Sequence, residues 1–231
     1  MKRRWFFTKL AAIGTGIYVT TKGVEAWARE LPSSPSAKRK SANVDEIILP
    51  AFEKDINVTI DQTLLDRKTS RNFDGEKTLT LEQISRLLWA ATGVNRRDGH
   101  HTTVPSAMAK YPVSVYVALP DGTFIYDPYK HSLVKFKDVD IRRKIPIQKP
   151  HKSAAMTLVF VSDKSKVSAG DHRWADYEIG CMVQNLYLMA AAMGLGSCVF
   201  GLVRFDKVPR LLNLEKNKSV RLGHAVGPLT G

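Results

Sequence analysis

The fold is decided by the stretch 171–202, which reads DHRWADYEIGCMVQNLYLMAAAMGLGSCVFGL. Apolar residues recur there at intervals of three and four, which predicts one long helix, Asp171–Met193, with a single buried stripe. The stripe consists of Ile179, Met182, Val183, Leu186, Ala190 and Met193. Gly194 and Gly196 predict the end of the helix, and the apolar run after them predicts a strand, Ser197–Leu202.

Shorter helices and strands are predicted on both sides of this stretch. The further helices are Val58–Arg67, Thr80–Ala91 and Val208–Leu212. The second of them has the pattern of a capping box, with Thr80 at its start and Gln83 three positions later. The predicted strands are Val113–Leu119, Thr123–Tyr126, Ser132–Phe136, Ala155–Val161 and Arg221–Val226. Because helices and strands mix without strict alternation, we expect an α+β fold with a mainly antiparallel sheet.

Residues 1–28 have the three parts of an export signal. Cations at the start precede a mild apolar run, Leu10–Val19, and Ala26 and Ala28 form an A-x-A site before a cut after residue 28. The sequence RRWFF at 3–7 resembles the twin-arginine consensus. Because that route exports folded proteins, the signal favours a redox cofactor inserted before export. The alternative interpretation is an uncleaved anchor.

Residues 29–43 are rich in proline, serine and lysine and lack apolar periodicity, which predicts a disordered linker. The remaining residues, 44–231, are enough for one domain. The chain has a net charge of +13, but its cations are scattered, so we expect no nucleic acid as a partner. No stretch reaches the roughly 18 apolar residues typical of a membrane span, so we expect no stable span.

The sequence contains two cysteines, Cys181 and Cys198, which are not arranged as a C-x-x-C pair. Zinc is therefore not expected. Whether the two form a disulfide is open, because one falls on a predicted helix and the other on a predicted strand. His100 and His101 have no third ligand at a suitable spacing, so we expect a polar loop there and no metal.

Three segments have the residue types that bind a phosphorylated cofactor. The first, 67–73, reads RKTSRNF and places three cations and two hydroxyls within five positions, as a bound phosphate requires. The second, 102–108, contains a Pro-Ser turn just before a strand. The third, 194–201, reads GLGSCVFG, and its glycines permit a ligand to approach the backbone. Because the third follows a helix and enters a strand, a Rossmann site is a poor fit.

Taken in this order, the segments resemble the nitroreductase family, and more closely its branch of SagB-type dehydrogenases, which oxidise azoline rings. The likeness runs from about Ile48 to Gly227 and includes the helix LTLEQISRLLWAATGV at 79–94 and the sequence QNL at 184–186. The resemblance implies a three-layer fold in which helices flank a central, mainly antiparallel sheet. It also implies FMN at the interface of a homodimer and two-electron hydride transfer through flavin N5, to or from a small organic substrate.

The resemblance further implies cofactor contacts in the first segment. Arg67 and Thr69 match the positions that hold the FMN phosphate, and the basic Lys68 lies between them. Arg71 matches the cation near the pyrimidine end of the flavin. A positive charge there stabilises the anionic reduced flavin.

Contacts with the flavin ring are implied for the other two segments. Pro105, Ser106 and Ala107 match a turn that contacts the ring, from the other subunit or from the same one. The backbone around Phe200 and Gly201 matches the part of the chain that approaches flavin N5. No side chain is expected to act as a catalytic acid or base, because the cofactor carries the chemistry.

Two features depart from the family pattern. Many members have Asn and Gln after the Pro-Ser turn, where this chain has Ala109 and Tyr111, so a ring contact is lost or made by Lys110. Many members also have further basic residues after the last strand, so a phosphate contact is expected here from Arg204 or Arg221. These departures favour the alternative function slightly: a non-catalytic binding module of the cell envelope that keeps the fold.

Export also bears on the electron donor. We expect a periplasmic or otherwise exported protein, and NAD(P)H is not expected outside the cytoplasm. The physiological partner is then a redox protein, a quinol or a substrate that is itself oxidised.

Overall fold

A seven-stranded antiparallel sheet lies at the centre of the computed structural model, which describes residues 45–51, 57–96, 99–167 and 171–231. The strands are β1 (Glu46–Ile48), β2 (Val113–Leu119), β3 (Gly122–Asp127), β4 (Ser132–Lys137), β5 (Met156–Asp163), β6 (Gly196–Phe200) and β7 (Lys218–Gly227). Their spatial order is β1-β4-β3-β2-β5-β7-β6, so β6 forms one edge of the sheet. The predicted signal and linker fall outside the described residues.

The α-helices of the described residues are α1 (Ile60–Asp66), α2 (Leu81–Thr92), α3 (Arg173–Ala192) and α4 (Val208–Leu211). The capping box predicted for α2 is confirmed. The Gln83 N–H donates to the Thr80 hydroxyl at 3.2 Å, and the Thr80 N–H donates to the Gln83 side chain at 2.9 Å. No helix in this part of the chain is long and apolar enough to cross a membrane.

The edge strand β1 has no counterpart among the predicted elements. It pairs with β4, and all three of its residues are exposed, so they show no alternation of buried and exposed positions. The Ser132 hydroxyl donates to the Glu46 carboxylate at 2.7 Å, across 86 positions of sequence. The strand is therefore held by a distant partner, which no local pattern reveals.

Two apolar cores cover the two faces of the sheet. On one face α2 and α3 pack against the strands, and Leu87 and Leu186 are fully buried there. Short 3₁₀ helices and α4 lie on the other face, where Ile145 and Leu212 are buried. Successive residues of β2 alternate between the two cores, with Tyr116 in one and Val117 in the other. The predicted α+β architecture, with helices flanking an antiparallel sheet, is confirmed.

The two cysteines belong to different layers, and both are free thiols. Cys181 lies on α3 against the first core, whereas Cys198 is buried in the core on the opposite face of the sheet. The described ranges contain no group of three or more His, Cys, Asp or Glu side chains placed to hold a metal ion.

Candidate functional site

The loop that follows α1 lies against the edge strand β6. Ser70 donates its backbone N–H to the carbonyl oxygen of Ser197 at 2.9 Å. Because β6 ends the sheet, its outer side has no neighbouring strand among the described residues and is open to this loop. The structure therefore brings together the first and third predicted segments, the cationic turn at 67–71 and the glycine-bearing strand.

The side chain of Tyr187, on α3, links the cationic turn to β6. Its hydroxyl accepts a hydrogen bond from the Val199 N–H at 2.9 Å and lies 3.2 Å from the Thr69 hydroxyl. The guanidinium carbon of Arg67 is 5.5 Å from the centre of the Tyr187 ring, which is within cation–π range. Tyr187 therefore fixes both predicted phosphate ligands, Arg67 and Thr69, beside one strand.

A neutral histidine lies beneath this turn, on β7. The Nε2 atom of His224 is 2.6 Å from the Ser197 hydroxyl, and its ring is edge-on to Tyr187 with the centroids 5.0 Å apart. Complete burial lowers the pKa of His224 to about 3, so the ring is uncharged near neutral pH. The positive charge at this edge therefore comes from the turn, where Lys68 is exposed.

The charge of Arg71 affects the pKa values of two side chains on the opposite face of β6. Burial lowers the pKa of His151, and the charge of Arg71 lowers it further. Burial also raises the pKa of the Cys198 thiol, and Arg71 partly offsets that rise. The two affected side chains are neighbours, with His151 Nε2 3.2 Å from Cys198 Sγ. Arg71 is thus close enough to β6 to place a third cation of the turn near the strand.

Open space lies beside the residue that follows β6. The Phe200 side chain is buried in the core opposite α3, so its ring is not available to a cofactor. A Cβ added at Gly201 would approach no atom more closely than 4.0 Å, whereas one added at Gly196 would collide with the Leu229 side chain. Packing therefore requires glycine at 196 but not at 201, where the free space suits the approach of a ligand.

The Pro-Ser-Ala turn at 105–107 lies on the opposite flank of α3. The Ser106 hydroxyl accepts the Tyr111 N–H at 2.9 Å, and it acts on the pKa of Glu178, a buried residue of α3. Glu178 and Tyr187 are nine positions apart, which corresponds to about 14 Å along a helix and to opposite sides of it. Within one protomer, the turn is therefore separated from the Arg67 loop.

The further phosphate contact expected from Arg204 or Arg221 is not supported by their surroundings. Arg221 forms a two-point ion pair with Asp176, with N–O distances of 2.8 and 2.7 Å. Arg204 lines a separate basic cavity of about 530 Å³. The other lining residues of that cavity are Lys137, Arg143, Lys144, Lys207, Arg210 and Leu211.

Three residues of this region were not predicted from the sequence: Tyr187, His224 and Glu178. Tyr187 adjoins the apolar stripe of α3 and reads as an ordinary core residue. Glu178 precedes Met182 by four positions, so it lies on the same helical face as a stripe residue. The position of an ionisable side chain on this apolar face is the one sequence pattern that indicates a buried carboxyl.

The fold and the cationic edge together define a three-layer α+β domain with a cationic turn against its edge strand. A model of the nitroreductase family matches residues 64–228. A Methanocaldococcus jannaschii protein named as a nitroreductase is 29% identical over 185 residues, which span 74% of this chain and 91% of that relative. The chain belongs to the nitroreductase family.

Solved structures agree with this assignment. A crystal structure named as a nitroreductase from Ralstonia eutropha is 31% identical, with a TM-score of 0.74 over 80% of this chain and 90% of that one. A second, from Desulfovibrio desulfuricans, was solved in complex with FMN. It shares the fold at 17% identity, with a TM-score of 0.55 over 74% of this chain and 87% of that one.

Proposed function

We propose that this chain is an FMN-dependent oxidoreductase that exchanges two electrons with a small organic substrate. The observation that carries the proposal is the linkage of Arg67, Thr69 and β6 through Tyr187. A guanidinium and a hydroxyl on a sheet edge suit the phosphate of a flavin mononucleotide, and the space beside Gly201 suits its ring. The FMN complex of the Desulfovibrio relative supports the choice of cofactor.

In this proposal, the residues of this chain bind the cofactor and orient it. Arg67, Lys68 and Thr69 hold the phosphate, and Arg71 supplies positive charge near the pyrimidine end of the ring. The backbone at Gly201 leaves room at the atom that exchanges hydride. When bound, FMN supplies hydride exchange at its N5 atom, so no protein side chain has to transfer a proton.

A second copy of the chain completes the site. The separation between the 105–107 turn and the Arg67 loop supports a ring contact from the other subunit rather than from the same one. Three large apolar side chains are exposed on α1, next to the cationic turn: Ile60 is 62%, Leu64 52% and Leu65 79% exposed. Neighbouring exposed apolar side chains of this kind are typical of protein interfaces. We therefore infer a homodimer in which each flavin contacts both protomers.

Mixed dimers test this arrangement. We expect an Arg67→Ala homodimer to lose FMN through the phosphate, and an Ala107→Trp homodimer to lose it because the larger side chain blocks the ring. A hybrid of one Arg67→Ala and one Ala107→Trp protomer contains one intact site, so it should bind one FMN. If turn and loop served the same protomer's flavin, both hybrid sites would be defective and the hybrid would bind none. Native mass spectrometry of differently tagged protomers counts the flavins.

The SagB-type branch and export of the folded protein are parts of the same proposal. They are supported by the order of the sequence motifs and by RRWFF at 3–7. Replacing Arg3 and Arg4 with lysine should keep the protein in the cytoplasm at its full mass. The unaltered chain should appear outside the cytoplasm without residues 1–28, whereas an uncleaved anchor would retain them. Export that is unaffected by the lysines would contradict the twin-arginine assignment.

Visible flavin absorbance separates this function from its alternative. The purified exported protein should carry the colour of a bound flavin, which a non-catalytic envelope module would lack. Reduction of the flavin should occur with a quinol, a redox protein or an oxidisable substrate. Turnover with NADPH and with no other donor would contradict an exported role.

A further inference from the structure

A second cavity, of about 260 Å³, opens beside the N-terminal half of α3. Its volume is near the lower end of the range for ligand pockets, roughly 300 Å³, so it suits a small molecule. Much of its lining is apolar, including Met108, Pro112, Val167 and Trp174. Glu178 lies among these apolar groups, on the flank of α3 that faces away from Tyr187.

Glu178 is a buried carboxyl whose hydrogen-bonding capacity is unused. The residue is 1% exposed, and within the described part of the chain neither carboxylate oxygen has a hydrogen-bond partner. Burial raises the pKa of this carboxyl to about 7, and the nearby Ser106 hydroxyl and the charge of Lys166 offset only part of that rise. The Ser106 hydroxyl is close to Glu178, but its position is not that of a hydrogen bond to either carboxylate oxygen. Native proteins rarely leave such a group unpaired, because its desolvation is then uncompensated. A ligand that donates N–H bonds to Glu178 would remove this cost.

The backbone beside the cavity is strained. Met108, Ala109 and Tyr111 have φ angles of 55°, 52° and 43°, in the left-handed region that favours glycine. Three such residues within four positions are costly, and strain of this kind concentrates at ligand-binding sites. The strained turn contributes Met108 and Lys110 to the lining. This observation is independent of the unpaired carboxyl and points to the same cavity.

The charges that line the cavity are arranged in two groups. Lys110 and Lys166 are both exposed, whereas Glu178 is buried. The Asp171 carboxylate, which also lines the cavity, is paired with the Arg173 guanidinium at 2.7 Å. A ligand in the cavity therefore meets one buried acceptor and two exposed cations. A molecule with an ammonium group at one position and a carboxylate at the next matches this arrangement.

We propose that the cavity binds a free amino acid with an apolar side chain, up to the size of phenylalanine. Its ammonium group donates to Glu178, its carboxylate lies near Lys110 and Lys166, and its side chain packs against Met108 and Trp174. Binding does not depend on the flavin. Because Ala107 also lines the cavity, the ligand would lie next to the partner's flavin ring, and this last step rests on the proposed function.

Three matched compounds test the proposal by calorimetric titration of the full-length protein. The probes are L-phenylalanine, 2-phenylethylamine, which lacks its carboxylate, and 3-phenylpropionate, which lacks its ammonium group. We expect L-phenylalanine to bind at least tenfold more tightly than either of the others. Equal affinities for all three, or no saturable binding of L-phenylalanine, would overturn the proposal.

Two variants assign the contacts to particular residues. Glu178→Gln should weaken L-phenylalanine binding at least tenfold, whereas Glu76→Gln, at an exposed position, should leave it unchanged. Lys110→Met, also at an exposed position, should remove much of the preference for L-phenylalanine over 2-phenylethylamine. Wild-type affinity in both cavity variants would overturn the assignment. Flavin content is measured in parallel. Bound FMN without amino-acid binding would refute only this inference, whereas amino-acid binding without bound FMN would refute only the proposed function.

Discussion

The two flanks of α3 differ in how their buried polar groups are satisfied. On one flank the Tyr187 hydroxyl bonds to the Val199 N–H and lies within bonding distance of the Thr69 hydroxyl. On the other flank the Glu178 carboxyl is buried with no hydrogen-bond partner among the described residues. The polar group that α3 contributes to the first flank is satisfied within the protein, although the Nδ1 atom of the neighbouring His224 has no partner among the described residues. The polar group that α3 contributes to the second flank would be satisfied by a ligand.

This difference corresponds to two kinds of occupant. A tightly held cofactor benefits from side chains that are already fixed, because little freedom is then lost on binding. Arg67 and Thr69 have that support from Tyr187. A ligand that exchanges with solvent fits a site that keeps some backbone strain and one unpaired group when empty, as at Met108 and Glu178.

The largest expected effect comes from neutralising the unpaired carboxyl with Glu178→Gln. The folded carboxyl has a pKa of about 7, against 4.5 for an ordinary glutamate. The native state therefore binds more protons between these values, and wild-type stability falls as the pH rises from 4.5 to 7. Glu178→Gln does not lose this stability. Its free energy of unfolding, relative to that of the wild type, should therefore be about 3 kcal/mol higher at pH 8 than at pH 4.5.

Urea unfolding at both pH values measures this change. His224 makes stability rise with pH below 6.5, because its folded pKa is about 3. His224 is present in both proteins, so its contribution cancels in the difference between them. Glu76→Gln, at an exposed position, serves as the matched control and should show no such change. A stability difference between Glu178→Gln and wild type that is the same at both pH values would mean that the carboxyl is not held in an unfavourable site.

On the opposite flank, Arg67→Ala should weaken FMN binding by about 30-fold, or about 2 kcal/mol, the value of a hydrogen bond to a charged group. Titration of the apoprotein with FMN, followed by flavin fluorescence, gives the dissociation constant. Arg204→Ala removes an equal charge from the separate basic cavity and should leave the affinity unchanged. Similar losses in both variants would show that net charge, rather than the β6 edge, attracts the cofactor.

Gly201→Ala should weaken FMN binding about tenfold, which is 1.4 kcal/mol, with little change in the free energy of unfolding. Apart from its chain neighbours, the nearest described atom to the added methyl group is Leu222 Cδ2 at 4.0 Å, so the methyl group encroaches mainly on the space assigned to the flavin. Gly196→Ala should instead lower the free energy of unfolding, because its methyl group collides with Leu229. Full FMN affinity in Gly201→Ala would place the ring elsewhere.

The smallest effect is expected from Tyr187→Phe, which removes one hydroxyl and keeps the ring beneath Arg67. Loss of the contacts to Thr69 and Val199 should cost about 1 kcal/mol, or about fivefold in FMN affinity. Tyr177→Phe changes an exposed tyrosine of the same helix and should have no effect. If the two variants bound FMN equally well, Tyr187 would not be a positioning residue.

Local patterns in the sequence predicted the parts of the fold that depend on neighbouring residues. The capping box at Thr80 and Gln83 and the stripe on α3 are examples, because each depends on spacing within one helix. Strand β1 was missed because its pairing with β4 is distant in sequence. The cationic turn was recognised from its residue types, but its anchor Tyr187 was not, because a tyrosine beside an apolar stripe gives no sign of its hydroxyl partners.

Hydrogen–deuterium exchange of the full-length protein, with and without FMN, reports whether the cationic turn and the β6 edge bind one flavin together. Three separate segments should become protected together when FMN is added: 67–72, 199–203 and, across the dimer, 105–108. Protection confined to the basic cavity at 142–144 and 204–210, or protection of 67–72 without 199–203, would contradict a flavin site built from the cationic turn and the β6 edge.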